Sequence, residues 1–236
     1  MTAIDPKSVL GDLSGGRVLD VATGAGSFVQ FLLDGLHDHG EIVGIDANPE
    51  RAAAFADAFG GRDDVRFVEM DAHHLAFADG SFDTVCVSNS LHHFADPHPV
   101  LAEMARVLRP GGHVVVNEMY RDGQSATQET HVLLHHWWAA VGRQRGEVHR
   151  ETYRRAEIVA IVETLGLAGL RFIDLADPDE DPHDPETVAE LEAAIDRYVA
   201  LADGHAELQQ RGADLRVRLR EVGARSATQL VAVGRR

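Results

Sequence analysis

The feature that most constrains this chain is an apolar run that ends in a glycine turn, Val18-Leu19-Asp20-Val21-Ala22-Thr23-Gly24-Ala25-Gly26. A short apolar strand entering such a turn, then a segment with Phe28, Phe31, Leu32 and Leu36 at helical spacing, is the opening unit of a parallel α/β sheet. The alternation continues. Residues 41–45 read as a second strand, closed by Asp46 and followed by a helix over 49–59. Residues 65–69 and 82–87 read as strands three and four. Asp96-Pro97 starts a helix that Pro110-Gly111-Gly112 stops, and 113–117 make strand five.

The remainder is less regular. Residues 124–141 read as a helix rich in His and Trp, and Thr152 is placed to cap a helix through Leu165. Residues 169–175 form a sixth strand and 228–233 a seventh. Between these last two, an acidic, proline-broken loop leads into two helices, one started by Asp184-Pro185 and the other over about 205–222. The expected fold is a doubly wound, seven-stranded, mostly parallel sheet with helices on both faces and an antiparallel last strand. Residues 1–236 are read as one domain, with a lid helix region at 119–150 and a helical insertion at 176–225. Two helices are too few to bury a core of their own, so the insertion is expected to pack on the sheet domain.

Composition excludes several classes. Lys and Arg total 22 against 38 Asp and Glu, a net charge of −16. Such a surface repels phosphate backbones, so neither nucleic acid nor an anionic membrane is expected as a partner. No run of about 18 apolar residues is present, and the first fifteen residues lack an apolar signal core, so a cytoplasmic protein is expected. The single cysteine, Cys86, lies in the apolar run Thr84-Val85-Cys86-Val87 and reads as a buried strand residue.

The glycine turn lets a ligand approach the backbone, and the next helix offers its free N–H groups. Asp46, twenty residues past Gly26, can accept both hydroxyls of a ribose. A dinucleotide loop of the form Gly-x-Gly-x-x-Gly needs a glycine where this chain has Val29, which argues against NAD.

With these residues in view, the chain resembles the class I S-adenosylmethionine-dependent methyltransferases, and its first loop is particularly similar to the quinone-biosynthesis C-methyltransferase branch. The likeness continues through Gly44-Ile45-Asp46-Ala47-Asn48-Pro49, through Met70-Asp71-Ala72 with Phe77 and Gly80-Ser81-Phe82-Asp83, through Ser88-Asn89-Ser90-Leu91-His92-His93-Phe94 and through Leu108-Arg109-Pro110-Gly111-Gly112. It covers about residues 17–118. The resemblance implies S-adenosylmethionine as cofactor, with S-adenosylhomocysteine as product, and methyl transfer to a small-molecule acceptor. It places Asp20, Ala22, Gly24 and Gly26 around the methionine part, Asp46 on the ribose with Ala47 and Asn48 beside the adenosine, Asp71 with Ala72 on the adenine, and Ser88 and Asn89 at the methionine end. Ala22 stands where many members carry glycine.

Candidates for acid–base or orienting roles lie at the ends of strands four and five: His92, His93, Glu118 and Tyr120. In His131-Val132-Leu133-Leu134-His135-His136-Trp137-Trp138, His131 and His135 share one helix face, with Trp138 one turn on. His135 is read as lining the acceptor pocket, and no metal is assigned. A chelate of His131 and His135 with Glu118 as third ligand stays as an alternative. Trp137, Trp138, Tyr120 and Tyr153 are expected to form an aromatic acceptor wall, and 119–150 with 176–225 to cover the acceptor. A metal-assisted or non-transferring enzyme on the same fold, a non-catalytic cofactor-binding protein and a homodimer remain open.

Overall fold

A computed structural model describes residues 5–236; residues 1–4, part of the stretch read as lacking a signal core, lie outside it. A short helix α1 (Pro6–Leu10), capped by Asp5, precedes the alternating pattern. The order is then β1 (Val18–Val21), α2 (Ser27–Gly35), β2 (Ile42–Asp46), α3 (Arg51–Phe59), β3 (Val65–Glu69) and β4 (Phe82–Ser88). A 3-10 turn (Leu91–His93), α4 (Pro97–Val107), β5 (Leu108–Met119), α5 (Ala126–Gln144), α6 (Arg155–Glu163) and β6 (Ala168–Leu175) follow. Helices α7 (Pro185–Leu201) and α8 (Ala206–Val222) separate β6 from β7 (Gln229–Arg235).

The seven strands form one sheet in the order β3-β2-β1-β4-β5-β7-β6. Strands β1 to β5 pair in parallel, and β7 runs antiparallel to both β5 and β6. All four residues of β1 are buried, as a central strand covered on both faces requires. One face packs Val18, Ile42, Val65 and Cys86 under α1, α2 and α3. The other packs Leu19, Val21, Val85 and Val114 under α4 and α6. Cys86 is buried as expected, and burial pushes its thiol well up.

Three local expectations change. The strand expected over 113–117 begins already at Leu108, because Leu108 pairs with Phe82 and the register shifts before Thr84. Helix α4 has already ended at Val107, and Gly111, at φ 77°, shapes an irregularity inside the strand. Thr152 does not cap α6; it is fully buried, with its Oγ1 2.9 Å from His136 Nε2. The N-cap position belongs to Arg154, whose N–H donates to the Glu157 carboxylate.

The third change concerns the insertion. Helices α7 and α8 do bury a core, and they do so by recruiting α5. Leu134, Trp137 and Val141 from α5 pack with Ile195, Ala202, Leu215 and Leu219. Gly212 permits this close approach: a Cβ there would lie 2.5 Å from the Trp137 ring. The Trp137 Nε1 donates to the Leu208 carbonyl (2.8 Å), so a fully buried indole leaves no unpaired donor.

Candidate functional site

The strand order reverses direction of growth between β1 and β4, and doubly wound sheets open a crevice at the carboxyl ends of the strands at such a point. A cavity of about 580 Å³ lies there. Of the residues assigned to the cofactor by resemblance, Ala22, Gly24, Asp46, Ala47, Asn48, Asp71, Ala72, Ser88 and Asn89 line it.

Two do not line it. Asp20 is fully buried beneath the loop, with Oδ2 accepting from Thr23 Oγ1 (2.6 Å). Gly26 turns inward, where a Cβ would lie 2.4 Å from Phe59, so its role is to let the loop cross the aromatic pair on α3. The sequence reading had not assigned Thr23, Ala25, Ser27, Arg51, Met70, His73, Ser90 or Phe94, which also line the cavity. Ser90 and Phe94 were within reach of that reading, since they flank the candidate histidines. Arg51 and His73 carried no signal beyond proximity to Asp46 and Asp71.

The loop is bent for close approach. Gly24 has φ 57° and nothing within 4 Å of a would-be Cβ, so the cavity floor there is bare backbone. Ala22, at φ 55°, holds the left-handed conformation that glycine adopts freely, which explains the glycine preference at that position. Asn89 is also left-handed (φ 44°); its Oδ1 accepts from Met119 N (2.9 Å), tying the end of β4 to β5. Helix α2 begins at Gly26 without a side-chain cap.

The acidic groups keep acceptor capacity. Asp46 takes Gly24 N–H on Oδ2 and Asn48 N–H on Oδ1, both at 2.9 Å, which leaves each oxygen a further lone pair. Asp71 receives the His73 backbone and ring on Oδ1, and these hydrogen bonds hold its carboxyl below the usual range. Asp20 Oδ1 is buried and has no hydrogen-bond partner. Burial pushes the Asp20 carboxyl up to about 7, against the Thr23 hydrogen bond and with a contribution from Asp46. A bare glycine floor and two carboxylates with spare lone pairs match a ligand that carries a nucleoside.

The acid–base candidates separate into those the fold assembles and one it does not. Glu118, fully buried on β5, accepts from Ser90 N (3.1 Å) and Leu91 N (3.0 Å) on Oε2 and from His92 Nδ1 on Oε1. Glu118 thus caps the 3-10 turn and orients His92. His92 Nε2 lies 3.0 Å from His135 Nε2, and His149 Nε2 lies 3.1 Å from that same atom. His93 lines the cavity and packs against the rings of His92 (4.4 Å between centroids) and His149 (4.2 Å). Burial, then the neighbouring histidines, pushes His93 down to about 3. Burial and His92 push His149 down to about 4, and His135 lower still. His149 was missed from sequence because it lies in an irregular segment with no periodicity to place it.

Tyr120 is not part of this assembly. It hydrogen-bonds Asp174 and Thr228 at the β6–β7 side. The expected aromatic wall does not form: Trp137 is core, Tyr153 packs against the sheet core, and none of the four aromatics lines the cavity. Trp138 alone approaches the histidines, 6.1 Å from the His135 ring. The His131–His135 chelate with Glu118 does not assemble either, because His131 Nδ1 accepts from Ala227 N (3.0 Å). Among the described residues, no helix is long and apolar enough to cross a membrane.

With this geometry in place, the chain can be set beside known proteins. Residues 19–116 match a family model described as a methyltransferase domain. Demethylmenaquinone methyltransferase of Thermus thermophilus is 43% identical over 103 residues, covering 43% of this chain and 46% of that protein. The chain thus matches about half the length of its curated relatives or less. Among solved structures, the [4+2]-cyclase SpnF superposes with a TM-score of 0.65 at 21% identity, over 98% of this chain and 78% of that one. Phosphoethanolamine N-methyltransferase 2 of Haemonchus contortus, in complex with S-adenosyl-L-methionine, gives 0.59 at 17% identity, over 97% and 50%. Over residues 19–116 the chain is thus similar to methyltransferase domains, and its sheet is superposable on those of solved methyltransferases.

Proposed function

We propose that the protein binds S-adenosylmethionine in the cavity between β1, β2 and β4 and transfers its methyl group to a small molecule, releasing S-adenosylhomocysteine. The observation that carries this reading is the pairing of the bare Gly24 floor with the Asp46 carboxylate, whose two oxygens each keep one lone pair. Asp46 would accept the ribose hydroxyls, and Asp71, through the oxygen His73 does not use, the adenine amino group. Asp20, beneath the loop, would support the Ala22–Gly24 turn from below through Thr23 and would not touch the ligand. When bound, the cofactor supplies a methyl group already activated on a sulfonium.

The chain's own residues then have two tasks, to hold the acceptor in line and to exclude water. The 145–150 segment is held against His92 and His93, beside the cavity wall, by Arg150 N donating to His92 O (2.9 Å) and by the contact of His149 with His93. Helix α5 reaches the same histidines through His135 and would help shield an acceptor there from water. Residues 176–225 support that shielding indirectly, since α7 and α8 pack on α5 and none of their residues lines the cavity. His93, on the cavity wall, is the side chain placed to hydrogen-bond and orient an acceptor. Glu118 serves as a positioning group for His92.

Quinol-type acceptors are the first to test, because the relatives matching the same segment are named for demethylmenaquinone methylation. The cofactor reading predicts calorimetric uptake of one S-adenosylhomocysteine per chain, and release of that product when S-adenosylmethionine and an acceptor are supplied. Folded protein that takes up neither compound ends the proposal. A second reading is cofactor binding without methyl transfer, on a fold that a protein named as a [4+2]-cyclase shares. Uptake with no product release across an acceptor panel would favour it.

A further inference from the structure

We propose that the histidine cluster between the 3-10 turn, α5 and the 145–150 segment is a binding site for one divalent transition-metal cation of the zinc class, held by Nε2 of His92, His135 and His149. His93 stands at its cavity side. The inference does not depend on the methyl-transfer reading.

Three elements far apart in sequence bring these imidazoles to one point: His135 is 43 residues from His92 and 14 from His149. Ring nitrogens of His92, His93 and His149 also lie within 4.8 Å of one another. Ligands at about 2.0–2.1 Å from a cation are separated by about 2.9 Å when at right angles and about 3.3 Å when tetrahedral. The observed separations of 3.0 and 3.1 Å fall between these limits.

Hydrogen bonding alone does not account for the arrangement. Glu118 accepts a hydrogen bond from His92 Nδ1, and a ring carrying its single proton there turns a lone pair at Nε2 toward His135. His135 Nε2 faces a second nitrogen, His149 Nε2, at nearly the same distance. If His135 carries the proton there, one N–H is divided between two acceptors. If it does not, the His92 and His135 lone pairs oppose each other. Each assignment leaves one contact of about 3 Å without a hydrogen bond of its own, in a place where His92 and Glu118 are fully buried. A cation satisfies all three nitrogens together. The carboxylate behind His92 is the partner that fixes a ligating imidazole's tautomer and raises its basicity. With imidazole ligands and the lone cysteine buried elsewhere, the donor set suits Zn²⁺, Co²⁺ or Ni²⁺ better than Mg²⁺ or Ca²⁺.

The test uses the full chain stripped of metal, titrated with Zn²⁺ alone by calorimetry and with Co²⁺ alone by visible absorption. One cation per chain is expected, with a Co²⁺ spectrum free of thiolate charge transfer. His135→Gln and His149→Gln should each weaken uptake at least about tenfold, while His98→Gln, at the exposed start of α4, leaves it unchanged. Circular dichroism verifies folding of each variant. Wild-type protein that is folded and takes up neither cation overturns the proposal, as does undiminished uptake by a folded His135→Gln/His149→Gln double variant.

Discussion

The stretch from β1 to β5 and the stretch from α5 to α8 place polar groups by different means. In the first, Ala22, Asp46, Asp71 and Ser88 sit at or just beyond strand ends, and parallel pairing of β1 with β2 and β4 sets them side by side. In the second, the polar groups meet only because a helix and a loop fold back across the first region: His135 and His149 reach His92 over long chain separations. A site built on strand ends follows from sheet register. A site built between layers depends on how the layers dock. The two regions should therefore respond separately to substitution.

The largest effect expected is on the docked layer. Trp137→Ala removes a fully buried indole from the small core shared by α5, α7 and α8 and should cost about 3–5 kcal/mol in urea unfolding. Affinity for S-adenosylhomocysteine should stay within about twofold, as for sites without shared partners. A folded variant that loses the nucleoside would show that the layer is part of the cofactor site.

The converse substitution is Asp46→Ala. On the proposed cofactor reading it removes two charge-assisted hydrogen bonds to the ribose hydroxyls, each about 1.5–3 kcal/mol. S-adenosylhomocysteine affinity in calorimetry should fall by about a hundredfold or more, with Co²⁺ uptake by the histidine cluster unchanged. Loss of both would dissolve the distinction between the regions.

Asp20 sharpens the comparison through pH. Its carboxyl stands near 7 in the folded protein against 3.8 ordinarily, so the folded chain holds a proton that the unfolded chain has released. Stability from this group is complete below about pH 4 and is lost as pH rises through about 7, a change on the order of 4 kcal/mol at most. Urea midpoints of the ligand-free protein at about pH 5 and about pH 8 should therefore diverge more for wild type than for Asp20→Asn. Equal divergence would mean that the strand-end carboxyl is not strained by burial.

The smallest effect is expected at Ala22. Glycine relieves a left-handed backbone costing about 1 kcal/mol but adds about 0.4–1 kcal/mol of freedom to the unfolded chain. The net change for Ala22→Gly should stay within about 0.5 kcal/mol, with cofactor affinity retained. A loss above about 1 kcal/mol would show that the methyl group makes a contact of its own.

Legibility from sequence follows the same division. Nine of the eleven residues assigned to the cofactor line the cavity, because a turn after a strand must lie at the sheet's edge wherever the helices settle. Asp20 and Gly26 were placed one layer too far out. Alternation along β1 put Asp20 beneath the loop, and the left-handed Gly26 turned toward Phe59. Among the acid–base candidates, His92, His93, Glu118 and His135 come together, while Tyr120 turns to Asp174. The helical face shared by His131 and His135 was real as periodicity. The docking of α5 sent one of them to Ala227 and the other to His92.

By itself, the amino-acid order determined the strands, most of their helices, the glycine floor and the acid that ends β2, since these depend on apolar period, turn chemistry and short chain distances. Only the tertiary structure decided that α5 would leave the sheet for α7 and α8, and that three histidines would converge on one point. Those outcomes rest on which apolar faces bury each other and on the freedom of a loop to return, and no local pattern encodes either.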